Sequence, residues 1–149
     1  MDVRPYSPAD RDRCLAVFDS NTPHYFSAHE RADFERFLDR PDCSYLVMEH
    51  DGAIVGCGGY FVADDKAARL VWGMVRRDLQ RQGLGRFLLM YRLRELTKTS
   101  GVEMVSLDTS QHAAPFFERQ GFKVMRVAKN GYANGLDRVE MVKRLSVCP

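Results

Sequence analysis

The residues best suited to chemistry form one short segment that opens a helix pattern. Its order is Gln80-Arg81-Gln82-Gly83-Leu84-Gly85-Arg86. The first N–H groups of a helix have no partner within the helix, and the helix dipole is positive at that end. Gly83 and Gly85 carry no side chain, so an anion can approach the backbone, and Arg81 and Arg86 add positive charge. The segment therefore predicts a binding site for a phosphate group.

Two common phosphate-binding motifs do not fit the spacing of these glycines. A P-loop would need Gly-Lys followed by Ser or Thr, and no such run follows Gly85. A dinucleotide-binding fingerprint would need a third glycine where Leu88 stands. A glycine-rich helix start that serves only as a turn is the alternative interpretation. The strand pattern that ends at Met74-Val75 and the long helix pattern that follows favour the phosphate site.

The elements before this segment are predicted from hydrophobic period and turn residues. Arg4–Tyr6 has the pattern of a short strand, and Ser7-Pro8 starts a first helix. Ser27 and Glu30 have the spacing of a capping box before a second helix. An antiparallel meander follows, with a tight turn at Asp51-Gly52. Its predicted strands are Tyr45–Glu49, Ala53–Val62 and Ala68–Val75.

The elements after this segment complete one layered domain. The apolar pattern that begins at Gly83 predicts a long helix ended by Gly101. The remaining predictions are a strand at Val102–Leu107, a short helix at His112–Gln120, strands at Phe122–Val127 and Val139–Leu145, and a loop at Asn130–Asp137 between them. This order of strands and helices predicts an α/β (α+β) architecture in a single domain over residues 1–149.

Composition argues against several classes of function. The 149 residues include 22 Lys and Arg against 20 Asp and Glu, and a net charge of +2 gives no electrostatic case for binding nucleic acid or an acidic membrane. No signal-peptide core is found, and no apolar run reaches the ~20 residues of a membrane helix. His29-Glu30 lacks the second His of a zinc-protease motif, so no metal is expected. No cysteine pair has metal-ligand spacing and nothing in the sequence indicates secretion, so we expect free thiols in a reducing, cytoplasmic compartment. The cysteines are Cys14, Cys43, Cys57 and Cys148.

Two motifs together resemble the GNAT family of N-acetyltransferases. The first is Gln80-x-x-Gly83-x-Gly85, between a strand and a long helix. The second is Phe116-Phe117-Glu118-Arg119-Gln120-Gly121-Phe122, which is similar to the family's fourth helix and its Gly-Phe ending. The order of elements fits from Val3 to Leu145, so the resemblance covers nearly the whole chain. It implies a mixed, mostly antiparallel central sheet flanked by helices.

The resemblance also implies a site for acetyl-CoA, in a V-shaped split between the strand that ends at Val75 and the strand that ends at Asp108. Backbone groups of Met74 and Val75 would pair with the pantetheine arm, and one of their N–H groups would polarise the thioester carbonyl. The acceptor amine would attack directly, so Cys57 is interpreted as a buried strand residue and not as a nucleophile. The implied cofactor-binding residues, with the pyrophosphate on the N–H groups of 81–86, are Met74, Val75, Arg76, Gln80, Arg81, Gln82, Gly83, Leu84, Gly85, Arg86, Ser110 and Phe116.

The groups that move protons are where the sequence departs from the family. Many members use a Glu on the strand before the motif as the base and a Tyr on the fourth helix as the acid, but Arg69–Val75 contains no carboxylate and Phe117 stands where that Tyr is usual. An amine with a pKa near ~10.4 must lose a proton before attack, so Asp108 and Glu30 are candidate catalytic bases. A turn or cap role for Asp108 and the capping-box role for Glu30 are the alternatives.

A thiolate is a fair leaving group, so a dedicated acid is not required. Further candidates are His112 as a base or cofactor contact, and Tyr60, Tyr91 and Tyr132 as hydroxyl donors.

The acceptor side is predicted from two loops, 21–26 and 130–135, that mix aromatic and amide side chains. Neither loop carries a carboxylate cluster, which argues against a polycationic acceptor.

The predicted function is transfer of the acetyl group of acetyl-CoA to an amine of a small molecule or peptide. The alternatives are a non-catalytic CoA-binding module, or an acyltransferase with another acyl donor or acceptor. Exposed strand edges would allow a homodimer. The candidate substrate-binding residues are Tyr25, Phe26, Tyr132 and Trp72, the last either as core or as the floor of the acceptor pocket.

Overall fold

The computed structural model describes residues 1–64, 66–99 and 101–145, and these form a sheet of seven strands with helices on both faces. Cys148 lies outside the described residues. The strands are β1 (Asp2–Pro5), β2 (Ser44–His50), β3 (Ala53–Val62), β4 (Ala67–Val75), β5 (Met104–Thr109), β6 (Lys123–Ala133) and β7 (Leu136–Arg144). The helices are α1 (Arg11–Ser20), α2 (Glu30–Asp39), α3 (Leu84–Thr97) and α4 (Ala114–Arg119), with 3₁₀ turns at Pro8–Asp10 and Arg77–Leu79.

The sheet is antiparallel except where β4 lies beside β5. The strand order is β1-β2-β3-β4-β5-β7-β6, and the parallel pairing joins Ala67–Arg69 of β4 to Met104–Ser106 of β5. Beyond that short ladder, β4 continues to Val75 and β5 to Thr109 without further pairing between them in the described chain. The predicted mixed, mostly antiparallel sheet flanked by helices is confirmed, and an opening exists between the ends of these two strands.

Alternation along the strands divides the core into two apolar layers. Successive side chains of a strand point to opposite faces, so in β2 Val47 packs against α1 and α2 while its neighbour Met48 packs against Leu88 of α3. The α1–α2 layer is rich in aromatic rings, and the layer under α3 and α4 is built around Leu89, Leu93 and Leu96. Both faces of β4 are therefore covered, and β5 packs Val105 and Leu107 against the layer under α3 and α4.

The hairpin of β6 and β7 corrects the predicted loop at Asn130–Asp137, because strand occupies most of that range. Asn130 has φ 58°, a left-handed conformation that Asn tolerates better than most residues. Its side-chain oxygen accepts a hydrogen bond from the Gly135 N–H at 2.7 Å, and its own N–H donates to the Asp137 carboxylate at 2.9 Å. These local bonds close a hairpin around residue types that otherwise indicate a loop.

Helix ends also differ from the sequence-based prediction. The helix signal at Ser7 begins a 3₁₀ turn, and α1 follows it. α3 ends at Thr97 and not at Gly101, while α4 is shorter than predicted, with Pro115 in its first turn where the missing N–H is tolerated. In the described part of the chain, no helix is both long enough and apolar enough to cross a membrane.

Candidate functional site

A β-bulge in β4 shapes the backbone beside the opening. The pairing with β3 shifts so that Trp72 and Gly73 together lie opposite Gly58. Trp72 has φ 45°, in a region that side chains with a Cβ rarely adopt, and such a conformation persists only where the surroundings impose it. Gly73 is exposed, and both Gly73 and Met74 line the opening. Residues on both sides of the bulge, from Arg69 to Val75, line the opening, so the bulge shapes its wall.

The opening is a cavity of about 660 Å³. Nine of the residues predicted for cofactor binding line it: Met74, Val75, Gln80, Arg81, Gly83, Gly85, Arg86, Ser110 and Phe116. The four candidate substrate-binding residues line it as well: Tyr25, Phe26, Trp72 and Tyr132. Both candidate bases, Asp108 and Glu30, also border this cavity. Residues from both halves of the chain thus meet at one site.

Three predicted cofactor residues do not line the cavity. The Nε of Arg76 donates to the carboxylate of Asp78 at 2.7 Å, and that pair lies at the surface. Leu84 packs against the apolar layer beside Leu88, and Gln82 is exposed. For these three the sequence located the segment but not the direction of each side chain, which depends on neighbours elsewhere in the chain.

The N-terminus of α3 opens into the cavity. Gly83 precedes the helix with φ 84°, Arg81 has φ 66°, and no side chain of the described residues caps the first N–H groups. A Cβ on Gly83 would meet no atom within 4 Å, and a Cβ on Gly85 would lie 3.6 Å from the ring of Phe116. Because these donors are free and Arg86 and Arg81 are exposed beside them, the helix start can bind an anion.

The side chain of Gln80 connects the loop before α3 to the end of α1 and to β4. Its Nε2 donates to the side-chain oxygen of Asn21 at 2.7 Å and to the carbonyl of Val75 at 3.1 Å. Asn21 is fully buried, and its Nδ2 donates to the carbonyls of Val17 (3.0 Å) and Val75 (2.9 Å). The Gln80 amide is therefore occupied by the protein and positions the anion site. Sequence analysis placed Asn21 only in an acceptor loop and missed this bracing role.

Glu30 is a half-buried carboxyl at the α2 side of the cavity. Its Oε2 accepts the N–H of Ser27 at 2.8 Å, so the expected capping contact forms, yet the same carboxyl also lines the cavity. Burial raises the pKa of Glu30 above its ordinary value; the Ser27 hydrogen bond opposes this rise and the nearby charge of Asp33 adds to it. A carboxyl with a raised pKa is suited to accept a proton near neutral pH.

Asp108 is held by two arginines. Its Oδ2 accepts from Arg69 Nη2 at 3.1 Å and from Arg138 Nε at 3.0 Å, and the side chain is 15 % exposed. Its Oδ1 is buried and has no hydrogen-bond partner among the described residues. One oxygen of Asp108 is thus committed to two cations, and the other is the atom left for a ligand.

Tyr132, from β6, completes this side of the cavity. Burial raises the pKa of its hydroxyl, and the carboxylates of Asp108 and Glu30 raise it further, so the hydroxyl keeps its proton at neutral pH. Of the other two tyrosines considered as hydroxyl donors, Tyr60 packs against the layer under α3 and α4, and Tyr91 is not among the cavity residues of the described chain. Of the three tyrosines considered as hydroxyl donors, Tyr132 is therefore the one that the fold brings to the site.

Trp72 belongs both to the core and to the cavity wall. Its ring centroid lies 5.0 Å from that of Phe34, 6.3 Å from Phe26 and 6.4 Å from Phe18, and it also lines the cavity. The hydroxyl of Tyr45 donates to the Trp72 carbonyl at 2.8 Å, which fixes the bulge. An apolar wall of this kind can hold the carbon skeleton of an acceptor.

Stacked rings join the 21–26 segment to the loop before α4. His24 and His112 stack with centroids 4.2 Å apart, and the guanidinium of Arg77 lies 5.2 Å from the ring centre of Tyr25. Burial lowers the pKa of His24, and His112 and Arg77 lower it further. The described residues contain no group of three His, Cys, Asp or Glu side chains able to hold a metal ion.

The buried side-chain polar atoms that have no hydrogen-bond partner among the described residues all belong to residues that line the cavity. These are Nε of Arg92, Oδ1 of Asp108 and Oγ of Ser110, all buried, and all three residues line the cavity. A buried polar group without a partner costs about 1–3 kcal/mol, so such groups are rare in a packed core and typical of a site that a ligand completes. Sequence analysis missed Arg92, although its place between Leu88 and Leu96, four residues from each on the apolar stripe of α3, was a signal.

Comparison with known proteins gives one family and many structures of the same fold. The Acetyltransferase (GNAT) family model matches residues 14–122. An amino-acid acetyltransferase of Vibrio vulnificus (strain CMCP6) is 27 % identical over 115 residues, which cover 76 % of this chain and 22 % of that protein. The chain thus spans about a fifth of the length of this relative.

Solved structures agree with the observed topology over nearly the whole chain. A GNAT-family structure from Desulfovibrio desulfuricans has a TM-score of 0.81 at 24 % identity, covering 97 % of this chain and 99 % of its own. The ribosomal-protein-S18-alanine N-acetyltransferase from Escherichia coli gives 0.79 at 22 % identity, covering 99 % and 96 %. An aminoglycoside 6′-N-acetyltransferase complexed with coenzyme A gives 0.78 at 15 % identity, covering 100 % and 99 %. At these identities the likeness concerns the fold.

Proposed function

Because the chain belongs to the GNAT family of acetyltransferases, we propose that it transfers the acetyl group of acetyl-CoA to an amine of a small molecule or peptide. The observation that carries this proposal is the cavity between β4 and β5. It joins an uncapped helix N-terminus, which suits a pyrophosphate, to a region with a half-buried carboxyl and unpartnered polar atoms, which suits an acyl transfer.

The acetyl donor would bind along the α3 start and the free edge of β4. The N–H groups of residues 81–86 would hold the pyrophosphate, with Arg81 and Arg86 as counter-charges. The Val75 carbonyl already accepts two side-chain amides, so we expect the pantetheine arm to bond to other backbone groups near Met74. One of the Met74 and Val75 N–H groups would polarise the thioester carbonyl, and Ser110 would offer its hydroxyl to the donor from the β5 side.

Glu30 is the base that we favour for the acceptor amine. It lines the cavity, its pKa is raised mainly by burial, and Trp72 and Phe26 stand in the same wall to hold the carbon skeleton of the acceptor. Asp108 has one oxygen bound to two arginines, so we assign it to positioning: it would orient Arg69 and Arg138 at the acceptor side. The amine would give its proton to Glu30 and attack the thioester carbon directly.

Asp108→Asn tests this division of roles. We expect the acidic limb of the pH–rate profile to stay where it is, because Glu30 remains, while the free energy of unfolding falls by about 1–2 kcal/mol since two guanidinium groups lose their counter-charge. Urea unfolding and kcat/KM against pH measure the two effects. Asp78→Asn, at the exposed pair with Arg76, is the matched control and should leave the free energy of unfolding close to that of the wild type. A lost acidic limb in Asp108→Asn would make Asp108 the base.

The direct test of the proposed function is turnover with a panel of amines. Free amino acids come first, because the relative from Vibrio vulnificus is named an amino-acid acetyltransferase. Peptides with free N-termini and aminoglycosides follow. Release of free coenzyme A thiol above the rate without acceptor supports the proposal. Coenzyme A binding with no turnover on any amine would favour the non-catalytic module, which Phe117 and the absence of a β4 carboxylate keep as the second candidate.

Three further properties belong to the same proposal. We propose that the protein works in the cytoplasm, without a metal ion, and on acceptors other than nucleic acid, in keeping with its near-neutral net charge. A homodimer stays a prediction. β6 is an edge strand with the apolar side chains of Val124, Met125 and Val127 exposed, and it is the surface at which such a dimer would form.

A further inference from the structure

Arg92 is a cation enclosed in the middle of α3, with 4 % of its surface exposed. Its Nη1 donates to the carbonyl of Gly59 at 3.3 Å, and its Nε has no partner among the described residues. No carboxylate of the described residues forms an ion pair with it. A guanidinium carries five donors in a fixed fork, so most of its bonding capacity is unused.

The space around this guanidinium is made by two glycines. A Cβ on Gly58 would lie 3.0 Å from the Cζ of Arg92, and a Cβ on Gly73 would lie 2.9 Å from its Nη2. Any larger residue at either position would displace the group. Burying an unpaired charge opposes folding, whereas an apolar side chain on this stripe would favour it. The fold therefore accommodates a charge that the empty protein does not use.

The position of Arg92 relates it to the reacting atoms. Arg92 lines the cavity, as do Gly73, Leu107 and Phe117, and its guanidinium lies against Gly73. Gly73 immediately precedes Met74 and Val75, one of whose N–H groups we assigned to the thioester carbonyl under the proposed function, on which this inference rests. A pantetheine arm that reaches the Met74 backbone would bring its sulfur beside Gly73, and hence beside Nη2 of Arg92.

We propose that Arg92 stabilises the thiolate of coenzyme A as it leaves. The neutral amine forms a C–N bond to the carbonyl carbon and its proton passes to Glu30. The C–S bond then breaks, its electron pair stays on sulfur, and the thiolate takes a proton from solvent after release. Phe117 has no hydroxyl to protonate that sulfur, so a fixed cation in the same cavity takes over the task.

The protonation state of Arg92 is compatible with this role. Burial lowers the pKa of Arg92 to about 10, against small opposing effects of Tyr45 and Cys57. The guanidinium is therefore charged at neutral pH and remains a counter-ion throughout the range in which an acetyltransferase would be assayed. An anion that forms beside it meets a cation whose cost of burial has already been met in folding.

The test is the ionisation of the thiol of bound coenzyme A, followed by the ultraviolet absorbance of the thiolate during a pH titration. We expect the thiol pKa to be about 1–2 units lower on the wild-type protein than in solution. Arg92→Met should remove that difference, and Arg92→Lys should keep part of it. Arg94→Met, on the exposed face of the same helix, is the matched control and should titrate as the wild type does.

Kinetics give a second readout that a merely structural role would not produce. With acetyl-CoA, Arg92→Met should lower kcat about 10²-fold and leave KM within about threefold, because the contact exists only once negative charge develops on sulfur. The melting temperature of Arg92→Met should not fall, since the substitution removes an unpaired buried charge. Arg92→Gln serves in its place if the Met variant does not fold.

The outcomes separate this inference from the proposed function. Coenzyme A that binds the wild type with an unshifted thiol, or with the same shift in Arg92→Met, overturns the role of Arg92 and leaves acetyl transfer standing. A wild-type protein that binds no coenzyme A overturns both. A shift that depends on Arg92 supports the inference whichever amine the enzyme accepts.

Discussion

Gly83→Glu is expected to weaken the binding of acetyl-CoA by at least ~100-fold, about 2.8 kcal/mol. Gly83 sits at the start of α3, where no described side chain caps the first N–H groups. A glutamate there sets a negative charge against the pyrophosphate and can itself bond to the N–H groups that the ligand needs. Isothermal titration calorimetry with acetyl-CoA measures the loss.

The matched control for this substitution is Gly52→Glu. Gly52 has φ 78° and Gly83 has φ 84°, and a Cβ at either would meet no atom within 4 Å, so the backbone strain is similar at both. Gly52 lies in the β2–β3 turn and does not line the cavity, so its variant should bind acetyl-CoA as the wild type does. Gly83→Ala keeps the strain without the charge and should lose less affinity. Equal affinities for Gly83→Glu and the wild type would remove the anion site from this helix start.

Glu30→Gln is expected to lower kcat by about 10²–10³-fold while the protein stays folded. The carboxylate is the proton acceptor, so the wild-type rate should fall as the pH falls through the raised pKa of Glu30, and the variant should lose that limb. The amide oxygen of Gln can still accept the Ser27 N–H, which preserves the contact at the start of α2. Measurement of kcat against pH for both proteins tests the role.

Stability provides the control for Glu30→Gln. The folded chain holds the Glu30 proton more tightly than the unfolded chain does, so ionisation of Glu30 lowers the free energy of unfolding as the pH rises through the raised pKa. Removing the charge should therefore not reduce the melting temperature at neutral pH. Glu35→Gln, on the same helix and paired with Arg31, should leave kcat unchanged. An acidic limb that survives in Glu30→Gln would exclude Glu30 as the base.

Local sequence patterns predicted the α/β class, and the family resemblance implied the arrangement of the sheet. The period of apolar residues defined the meander, with β3 predicted at its observed bounds, and the Gln80–Gly85 motif with the Gly121-Phe122 ending identified the topology. The β6–β7 hairpin was harder, because backbone N–H groups that donate to the side chains of Asn130 and Asp137 replace part of the strand ladder. Such bonds join residues whose pairing becomes visible only in the folded chain.

The site was predictable where a role belongs to the backbone and less so where it belongs to a side chain. A helix start binds an anion through its N–H groups, so the position of the glycines was enough to indicate Gly83 and Gly85. The side chain of Gln80 turned out to brace Asn21, a contact made across 59 positions of the sequence. The role of Arg92 could not be predicted from the sequence, because it depends on the space that Gly58 and Gly73 leave on two neighbouring strands.

The central claim is that the cavity between β4 and β5 binds acetyl-CoA, and thermal unfolding with acetyl-CoA, free coenzyme A and ATP in parallel tests it most directly. At ~100 times the dissociation constant a ligand adds about 2.7 kcal/mol to the free energy of unfolding, a rise of about 5–10 °C in a domain of this size. The account predicts that rise with both forms of coenzyme A and none with ATP. No rise with either form of coenzyme A would contradict it.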